Sequence, residues 1–367
     1  MKILYDYNAF SIQEYGGISR YYTELNNVLF NKPGIDNKII APIHKNIHLK
    51  KNKSNLKLNV YLKTYPKYSS SIIKKYNFYT SNLLINIIKP DVLHQTYYSN
   101  ETYKLNTKTK LVITVYDLIH EIFYKDFGLK EDYRPKTNSL LNADLIICIS
   151  NNTKKDLMRF YNIQESKIRV IHLGCTNFDL NRAIDRKLVT NDPYILFVGS
   201  RKRYKNFHNL LLAYSKSSKL SQDLKIICFG GGKFNTAELN FFNDLKIKED
   251  SLIQLNGDDK FLSMLYKKAE AFIFPSLYEG FGLPTLESMK NKCPAILSNH
   301  DTLREVAGDA GIYFDPLDPD SICQRIEEVV YSDSLKQKLI DRGIEHVKKF
   351  TWEKCADKTE EIYNELT

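Results

Sequence analysis

Short apolar runs alternate with segments of helical periodicity along the whole chain. The runs in the first half predict strands at Lys2–Tyr7, Lys38–Ala41, Val92–His94, Leu111–Val115, Leu145–Ser150 and Ile168–Ile171. Those in the second half predict strands at Tyr194–Gly199, Lys225–Gly230, Leu252–Leu255, Ala271–Phe274, Ala295–Ser298 and Gly311–Phe314. Strands separated by helices usually pair in parallel, with the helices crossing over the faces of the sheet. The pattern therefore predicts an α/β protein with two parallel sheets.

The two groups of strands are separated by a polar stretch, residues 173–192, in which the periodicity fades. A chain of 367 residues is too long for one ordinary core and favours two domains. We predict a first domain at 1–172, a linker at 173–192 and a second domain at 193–350. Each domain is expected to be doubly wound and Rossmann-like, and ligands of such sheets bind beyond the carboxyl ends of the strands. Two such domains in tandem predict a central cleft between those ends.

The net charge of +10 lies in the first half of the chain. Residues 1–175 carry 26 Lys and Arg against 14 Asp and Glu, and the remainder carries 27 against 29. The segment Asn37–Pro90 has 11 lysines, interleaved tyrosines and no acidic residue. A surface of lysines from Lys38 to Lys89 suits an anionic partner, either a membrane leaflet or nucleic acid. The competing interpretation is a solvated face of a lysine-rich chain.

The cysteines and the amino terminus indicate the compartment. The six cysteines form no C-x-x-C pair and several lie inside apolar runs, which is typical of reduced core thiols. The first residues lack the apolar core of a signal peptide, and no stretch reaches the roughly 18 apolar residues of a membrane span. We therefore expect a cytoplasmic protein.

The segment Phe274–Glu287 combines two glutamates, two glycines and two prolines directly after a predicted strand. Pro284 suits the first turn of a helix, where its missing N–H and fixed φ cost nothing. Glu279 then lies in the loop and Glu287 in the first turns of the helix. Glycine lets the backbone approach a ligand closely, and the unpaired N–H groups of a helix start attract anions. The segment therefore predicts an anion-binding site.

Glycine-containing loops follow the first strand of each half. Gly16 and Gly17 open a helical pattern in the first half and are candidates for a loop that approaches a phosphate, although a plain tight turn is the better explanation of a glycine pair alone. In the second half, Arg201 and Lys205 lie between a strand and a helical run, where they could pair with phosphates. A solvated basic loop is the alternative for these two cations.

Polar side chains also end a strand in the first half, at Tyr116, Asp117 and His120. Each of them alone is more often a capping or hydrogen-bonded residue than a catalyst. The sequence Asp318-Pro-Asp320 has the letters of a metal-binding pair, but it precedes a helical run and is predicted to cap it. No metal site is therefore expected.

Together these motifs resemble glycosyltransferase family 4, whose members are retaining enzymes of the two-domain GT-B architecture. Glu279 and Glu287 match its E-x7-E pair, within a Pro-Ser-Leu-Tyr-Glu-Gly-Phe-Gly-Leu-Pro-x-Leu-Glu context. The segments that match its other motifs are Tyr15–Arg20, Ala143–Ser150, Val198–Asn206 and Phe350–Glu353. In that architecture the terminal segment, here 351–367, crosses back as a helix to the first domain.

The resemblance also implies roles for the candidate residues. Glu287 would hold the ribose of a nucleotide and Glu279 the donor sugar. Arg201 and Lys205 would bind the diphosphate. The remaining donor contacts would come from the backbone of Phe281, Gly282 and Leu283, and from Gly16 and Gly17. Many relatives have His-Asp at the position of Tyr116-Asp117 in this chain, so the role of that histidine falls to Tyr116, Asp117 or His120.

The expected activity is that of a hexosyltransferase which needs no metal and no cofactor beyond its nucleotide-sugar donor. It would move a mannose- or glucose-type sugar to a glycan or lipid-linked glycan of a surface polysaccharide such as lipopolysaccharide or capsule. The protein would be cytoplasmic, either free or peripheral on the inner membrane face, with no nucleic-acid partner. A nucleotide-sugar 2-epimerase or hydrolase of the same fold, and a non-catalytic basic protein that binds membrane or nucleic acid, are the alternatives.

Overall fold

The structure is a computed structural model that describes residues 1–51, 56–57, 59–125, 133–176, 190, 192–201 and 203–367. The chain divides into two compact units, Met1–Gly174 with Thr351–Thr367, and Cys175–Phe350. Most of the predicted linker 173–192 lies outside the described residues. The predicted domain limits therefore stay predictions.

The first unit is built around a seven-stranded sheet in which all the described strand pairs are parallel. Its strands, with a separate two-stranded sheet of β3 and β5, are β1 (Lys2–Tyr5), β2 (Asp36–Ile40), β3 (Ile43–His44), β4 (Leu56–Lys57), β5 (Val60–Tyr61), β6 (Val92–Gln95), β7 (Lys110–Val115), β8 (Leu145–Cys148) and β9 (Ile168–Val170). Its helices up to the second unit are α1 (Asn8–Ile12), α2 (Gly17–Phe30), α3 (Ile47–Lys51), α4 (Ser70–Ile88), α5 (Ile119–Phe123), α6 (Arg134–Asn142) and α7 (Asn151–Phe160). The strand order is β4-β2-β1-β6-β7-β8-β9, so the order reverses between β1 and β6.

The second unit repeats this plan with a six-stranded parallel sheet. Its strands are β10 (Tyr194–Val198), β11 (Lys225–Phe229), β12 (Leu252–Leu255), β13 (Ala271–Phe274), β14 (Ala295–Ser298) and β15 (Gly311–Phe314). Its helices are α8 (Phe207–Lys216), α9 (Ser218–Asp223), α10 (Thr236–Asp244), α11 (Asp259–Lys268), α12 (Leu283–Lys290), α13 (Asp301–Ala307), α14 (Pro319–Val330) and α15 (Asp333–Val347). The strand order is β12-β11-β10-β13-β14-β15, with its reversal between β10 and β13.

The last helix of the chain, α16 (Trp352–Leu366), belongs to the first unit. The Thr351 side chain caps it by accepting from the Lys354 N–H. Its Tyr363 hydroxyl lies 2.6 Å from Nδ1 of the buried His94. Gly174 touches the start of the helix so closely that a Cβ there would lie 2.4 Å from the Trp352 nitrogen. These contacts hold the end of the chain on the first sheet.

The predicted fold class of two doubly wound α/β domains is confirmed. All twelve predicted strands are present, with ends shifted by at most two residues. β8 and β13 are buried along their whole length, as apolar strands covered by helices on both faces should be. The short strands β3, β4 and β5 were not predicted, because two residues carry no readable alternation.

The six cysteines are free thiols and five of them are buried, as predicted for core thiols. Burial raises the pKa of Cys228 and of Cys355 to about 12, so both thiols stay protonated. In the part of the chain that the structure describes, no helix is both long and apolar enough to span a bilayer.

Candidate active site

The predicted donor-site residues follow the two strands that flank the reversal of strand order in the second unit. Arg201 and Lys205 follow β10, and Glu279 and Gly282 follow β13. β10 and β13 are hydrogen-bonded neighbours in parallel, so their carboxyl ends lie side by side. A crevice at this point of an open α/β sheet is the usual ligand site.

Lys205 and Glu279 form an ion pair across these two strand ends. Lys205 Nζ lies 2.5 Å from Glu279 Oε1, with side chains only 14% and 11% exposed. The loops are also joined by the backbone, because the Leu277 N–H donates to the Tyr204 carbonyl at 2.8 Å. The ammonium lies 5.1 Å from the centre of the Phe274 ring. The pair therefore presents one fixed cation and one fixed carboxylate in a partly water-excluded place, where their fields are strong.

The helix that starts at the end of this loop confirms the prediction for Pro284. α12 begins at Leu283, with Pro284 in its first turn and Gly282 as its N-cap. Gly282 has a φ of +88°, which favours glycine, and a Cβ there would lie 2.7 Å from Leu303 Cδ2. The first N–H groups of an eight-residue helix are thus placed directly after Glu279, where they can accept an anion.

Glu287 lies in the second turn of α12 and is 8% exposed. The buried Tyr266 hydroxyl donates to Glu287 Oε2 at 3.4 Å. Burial, and next the charge of Glu287, raise the pKa of Tyr266 well above its usual value, so the hydroxyl remains a donor. Tyr266 was missed in the sequence because its helix, α11, meets α12 only through the fold.

Arg201 is held inside the second unit by protein groups. Its Nε lies 2.6 Å from Glu238 Oε1, and the guanidinium also donates to the carbonyls of Gly230, Gly232 and Lys233. Its side chain is 5% exposed. Gly230, Gly231 and Gly232 all have positive φ, a conformation that only glycine adopts easily. Arg201 stabilises this turn through its hydrogen bonds to the turn's carbonyls. Glu238 was missed because its sequence signal, Asn235-x-x-Glu238, indicates only the capping box that it also forms.

In the first unit, the three candidates Tyr116, Asp117 and His120 follow β7 within one short segment. Tyr116 is buried and its hydroxyl donates to the Thr96 carbonyl at 3.3 Å. Asp117 accepts from the Ile119 N–H at 3.1 Å, and burial raises the pKa of Asp117 while the Lys136 charge opposes this. His120 is exposed on α5. Tyr116 is thus buried, Asp117 is partly buried and His120 lies at the surface.

A buried ion pair that the sequence did not reveal supports this segment. Lys136 Nζ lies 2.6 Å from Glu121 Oε1, with side chains 7% and 1% exposed. The same ammonium donates to the Asp117 carbonyl at 3.0 Å and lies over the Tyr98 ring. The pair joins α5 to α6, and no sequence pattern relates the two positions.

Gly16 and Gly17 lie at the start of α2, Gly16 as its N-cap. The Gln13 side chain accepts from the Ser19 N–H at 3.2 Å, and a Cβ on Gly16 would collide with that side chain. The first turn of α2 is therefore capped within the unit.

Asp318 lies at the start of α14. Its side chain accepts from the Asp320 N–H and caps α14, as predicted. Within the described ranges, no group of three or more His, Cys, Asp or Glu side chains is arranged to hold a metal ion. Metal independence of the reaction stays a prediction.

Two family models match consecutive segments that together span most of the chain. The model described as Glycosyltransferase Family 4 matches residues 15–176, and the model described as Glycosyl transferases group 1 matches residues 181–346. The junction between the two matched segments lies close to the boundary between the two units.

The chain is also similar to individual proteins, in sequence or in structure. O-antigen chain mannosyltransferase B of Escherichia coli is 30% identical over 237 residues, which are 62% of this chain and 62% of that protein. The match thus covers less than two thirds of this relative. Among solved structures, sucrose-phosphate synthase of Thermosynechococcus elongatus has a TM-score of 0.78 at 17% identity, covering 100% of this chain and 98% of that one. HepE of Anabaena, solved with UDP and glucose, has a TM-score of 0.73 at 14% identity, covering 100% of both chains.

The structural likenesses show the fold, and the sequence matches show the family. The chain belongs to the glycosyltransferases, with a family 4 domain in its first half and a group 1 domain in its second.

Proposed function

We propose that the protein is a hexosyltransferase that moves a mannose- or glucose-type sugar from a nucleoside-diphosphate sugar to a glycan or lipid-linked glycan. The observation that carries this proposal is the Lys205–Glu279 pair at the strand reversal of the second unit. A cation, a carboxylate and a helix start together match the phosphates and hydroxyls of such a donor. The similarity to an O-antigen chain mannosyltransferase supports the sugar class and a role in surface polysaccharide synthesis.

The donor contacts follow from the chemistry of each group. We assign the diphosphate to Lys205 and the start of α12, the donor sugar to Glu279 and the ribose to Glu287. Arg201 contributes its charge and holds the Gly230–Gly232 turn, because its guanidinium already bonds to Glu238 and to backbone carbonyls. The backbone of Phe281, Gly282 and Leu283 lies at the same helix start and completes the contacts.

The reaction breaks the bond between the anomeric carbon and the diphosphate oxygen and forms one to the acceptor hydroxyl oxygen. Negative charge grows on the leaving diphosphate, and Lys205 and the α12 N-terminus are fixed in advance to stabilise it. The acceptor proton passes to a phosphate oxygen of the leaving group. Attack from the face that the diphosphate leaves retains the anomeric configuration, and this step rests on analogy with the family.

We assign acceptor-side chemistry to the first unit. Of the three candidates after β7, Asp117 and His120 are favoured over Tyr116, whose hydroxyl is engaged by Thr96. We assign Gly16 and Gly17 to a loop whose backbone comes close to the donor. A lipid-linked acceptor also gives a reason for the lysines from Lys38 to Lys89, which suit an anionic membrane surface on the cytoplasmic side.

A sugar-transfer assay with matched variants tests the proposal. Lys205→Ala and Glu279→Ala should each abolish transfer while the protein stays folded. Lys336→Ala is the control, because Lys336 forms a similar pair with Glu270 at 2.9 Å, and Glu270 precedes β13 instead of following it. Undiminished turnover in either site variant would refute the assignment. Rapid donor consumption without acceptor would instead favour an epimerase or hydrolase.

A further inference from the structure

Helix α4 packs on the first unit with two polar residues among its buried positions. Its buried residues are Ile73, Asn77, Ser81 and Ile85. The Asn77 side chain makes two hydrogen bonds to the backbone of Ile43. Asn77 Oδ1 accepts from the Ile43 N–H at 2.9 Å, and Asn77 Nδ2 donates to the Ile43 carbonyl at 2.8 Å. A surface helix usually buries its apolar stripe and exposes its polar residues. Two of the four inward positions of α4 are polar instead.

On the inner face of α4, Ile85 belongs to the core, and Phe78, Leu84 and Ile88 pack against it. Five other apolar residues of α4 form a stripe on the outer face. They follow helical spacing and are between 51% and 70% exposed: Ile72, Tyr76, Tyr79, Leu83 and Ile87. Positions three or four apart lie on one side of a helix, so the five side chains make a continuous patch four turns long. Contiguous exposed apolar patches mark sites of interaction, whereas single exposed residues need no explanation.

The charges around this α4 stripe identify the partner. Lys75 borders the stripe, Lys67 precedes the helix and Lys89 follows it, and all three are exposed. No acidic residue occurs between Asn37 and Pro90. A second copy of the chain would bring these lysines against each other, which costs free energy. An anionic lipid surface instead accepts both the lysines and the apolar side chains.

We propose that α4 lies in the plane of an anionic bilayer surface, with the α4 stripe inserted among the lipid headgroups and the flanking lysines on the phosphates. Tyr76 and Tyr79 suit this depth, because an aromatic ring with a polar hydroxyl favours the membrane interface. The inference rests on the proposed function in one respect, since a lipid-linked acceptor is found at such a surface. Beyond the proposed function, the inference names α4 as the helix, and its outer stripe as the face, that contact the membrane.

Co-sedimentation with lipid vesicles tests the inference on the full-length protein. The vesicles are phosphatidylcholine alone, or phosphatidylcholine mixed equally with phosphatidylglycerol. The test variant is L83E/I87E. The control is L141E/M158E, which makes the same charge change at exposed residues of α6 and α7 in the same unit.

The wild type should bind the mixed vesicles and prefer them to the neutral ones. L83E/I87E should lower the partition coefficient at least about a hundredfold, because two apolar side chains are lost from the interface. The control should stay within about threefold of the wild type, because it leaves all five apolar side chains of the α4 stripe in place. Equal binding of the wild type and L83E/I87E, or equal binding to both vesicles, would overturn the inference.

Sedimentation velocity without lipid separates this partner from self-association. Wild type and L83E/I87E should sediment as the same species. A wild-type dimer that L83E/I87E converts to monomer would overturn the inference in favour of a second copy. Vesicle binding through the stripe by a protein that transfers no sugar would leave the inference standing and refute the proposed function.

Discussion

Both units reverse their strand order between the first and fourth strands of the main sheet, and the two reversal points hold different groups. In the first unit, Asp6 follows β1 and is 1% exposed. It accepts hydrogen bonds from the Thr96 N–H at 2.9 Å, the Asn8 amide at 2.7 Å and the Tyr103 hydroxyl at 3.0 Å. In the second unit, Lys205 and Glu279 bond to each other at the corresponding place and are partly exposed.

The difference separates fold from function. One reversal point is filled by a carboxylate whose partners all come from its own unit, so it stabilises the sheet. The other presents a cation and a carboxylate that a ligand can still reach, next to a helix start. The same strand order thus gives a structural centre in one unit and a candidate donor site in the other.

The largest expected effect is a difference in unfolding free energy between a variant of the structural centre, Asp6→Ala, and a variant of the candidate donor site, Glu279→Ala. Asp6→Ala leaves the donors of Thr96, Asn8 and Tyr103 buried without their acceptor and should lower the free energy of unfolding by about 3 kcal/mol or more. Glu279→Ala removes one partner of a pair whose side chains keep 14% and 11% exposure, so water can reach the remaining Lys205 ammonium and the cost should be smaller, about 1 to 2 kcal/mol. Urea denaturation followed by circular dichroism measures both.

The control for the Asp6 prediction is Asp36→Ala in the same unit. The Asp36 side chain is 54% exposed and pairs with Lys38, so its loss should change stability by no more than about 0.5 kcal/mol. Equal costs for Asp6→Ala and Glu279→Ala would remove the distinction between the two centres.

A second prediction concerns the neutral interior of the first unit. Burial lowers the pKa of His94 to about 3, well below that of an unfolded histidine near 6.5. Between these two values His94 is protonated in the unfolded chain and neutral in the folded state. The free energy of unfolding should therefore fall as pH drops below about 6.5 towards 3. The slope contributed by His94 should approach about 1.4 kcal/mol per pH unit.

Denaturation midpoints between pH 7 and 5 measure this slope. His94→Gln should remove it, because glutamine does not titrate. His346→Gln in the second unit should leave it in place. An unchanged slope in His94→Gln would mean that another group controls the acid sensitivity.

The smallest expected effect compares two glycines with positive φ. Gly282→Ala and Gly34→Ala should each cost about 1 kcal/mol of stability, because alanine is strained at φ values of +88° and +79°. Gly282→Ala must also push Leu303 aside and shift the start of α12, so it alone should weaken binding of a nucleoside diphosphate. Calorimetric titration of both variants checks this, and equal affinities would exclude the α12 start from the site.

The elements could be predicted from the sequence wherever one local signal sufficed. Apolar runs were enough for the twelve longer strands, Pro284 for the start of α12 and Asp318 for the cap of α14. The strand reversal that joins Lys205 to Glu279 follows from the order of the strands, and that order comes from packing in three dimensions.

Hydrogen bonds and ion pairs between residues far apart in the sequence could not be predicted. Arg201 looks like a phosphate ligand in the sequence, and its bond to Glu238, 37 positions away, appears only in the fold. The α4 stripe has helical spacing, but its outward direction depends on what the other face of the helix contacts, which includes the Ile43 backbone through Asn77 and the core through Ile85. Local patterns give the periodicity of a helix, and the rest of the protein decides which face it buries.

The central claim is that the strand reversal of the second unit binds the nucleoside diphosphate of the donor. Calorimetric titration of UDP and GDP into the wild type, Lys205→Met and Lys336→Met tests it most directly. The account predicts that the wild type binds at least one of them, that Lys205→Met weakens this binding about 10- to 100-fold through loss of a charge-assisted contact, and that Lys336→Met binds like the wild type. Equal affinity of Lys205→Met and the wild type would contradict it.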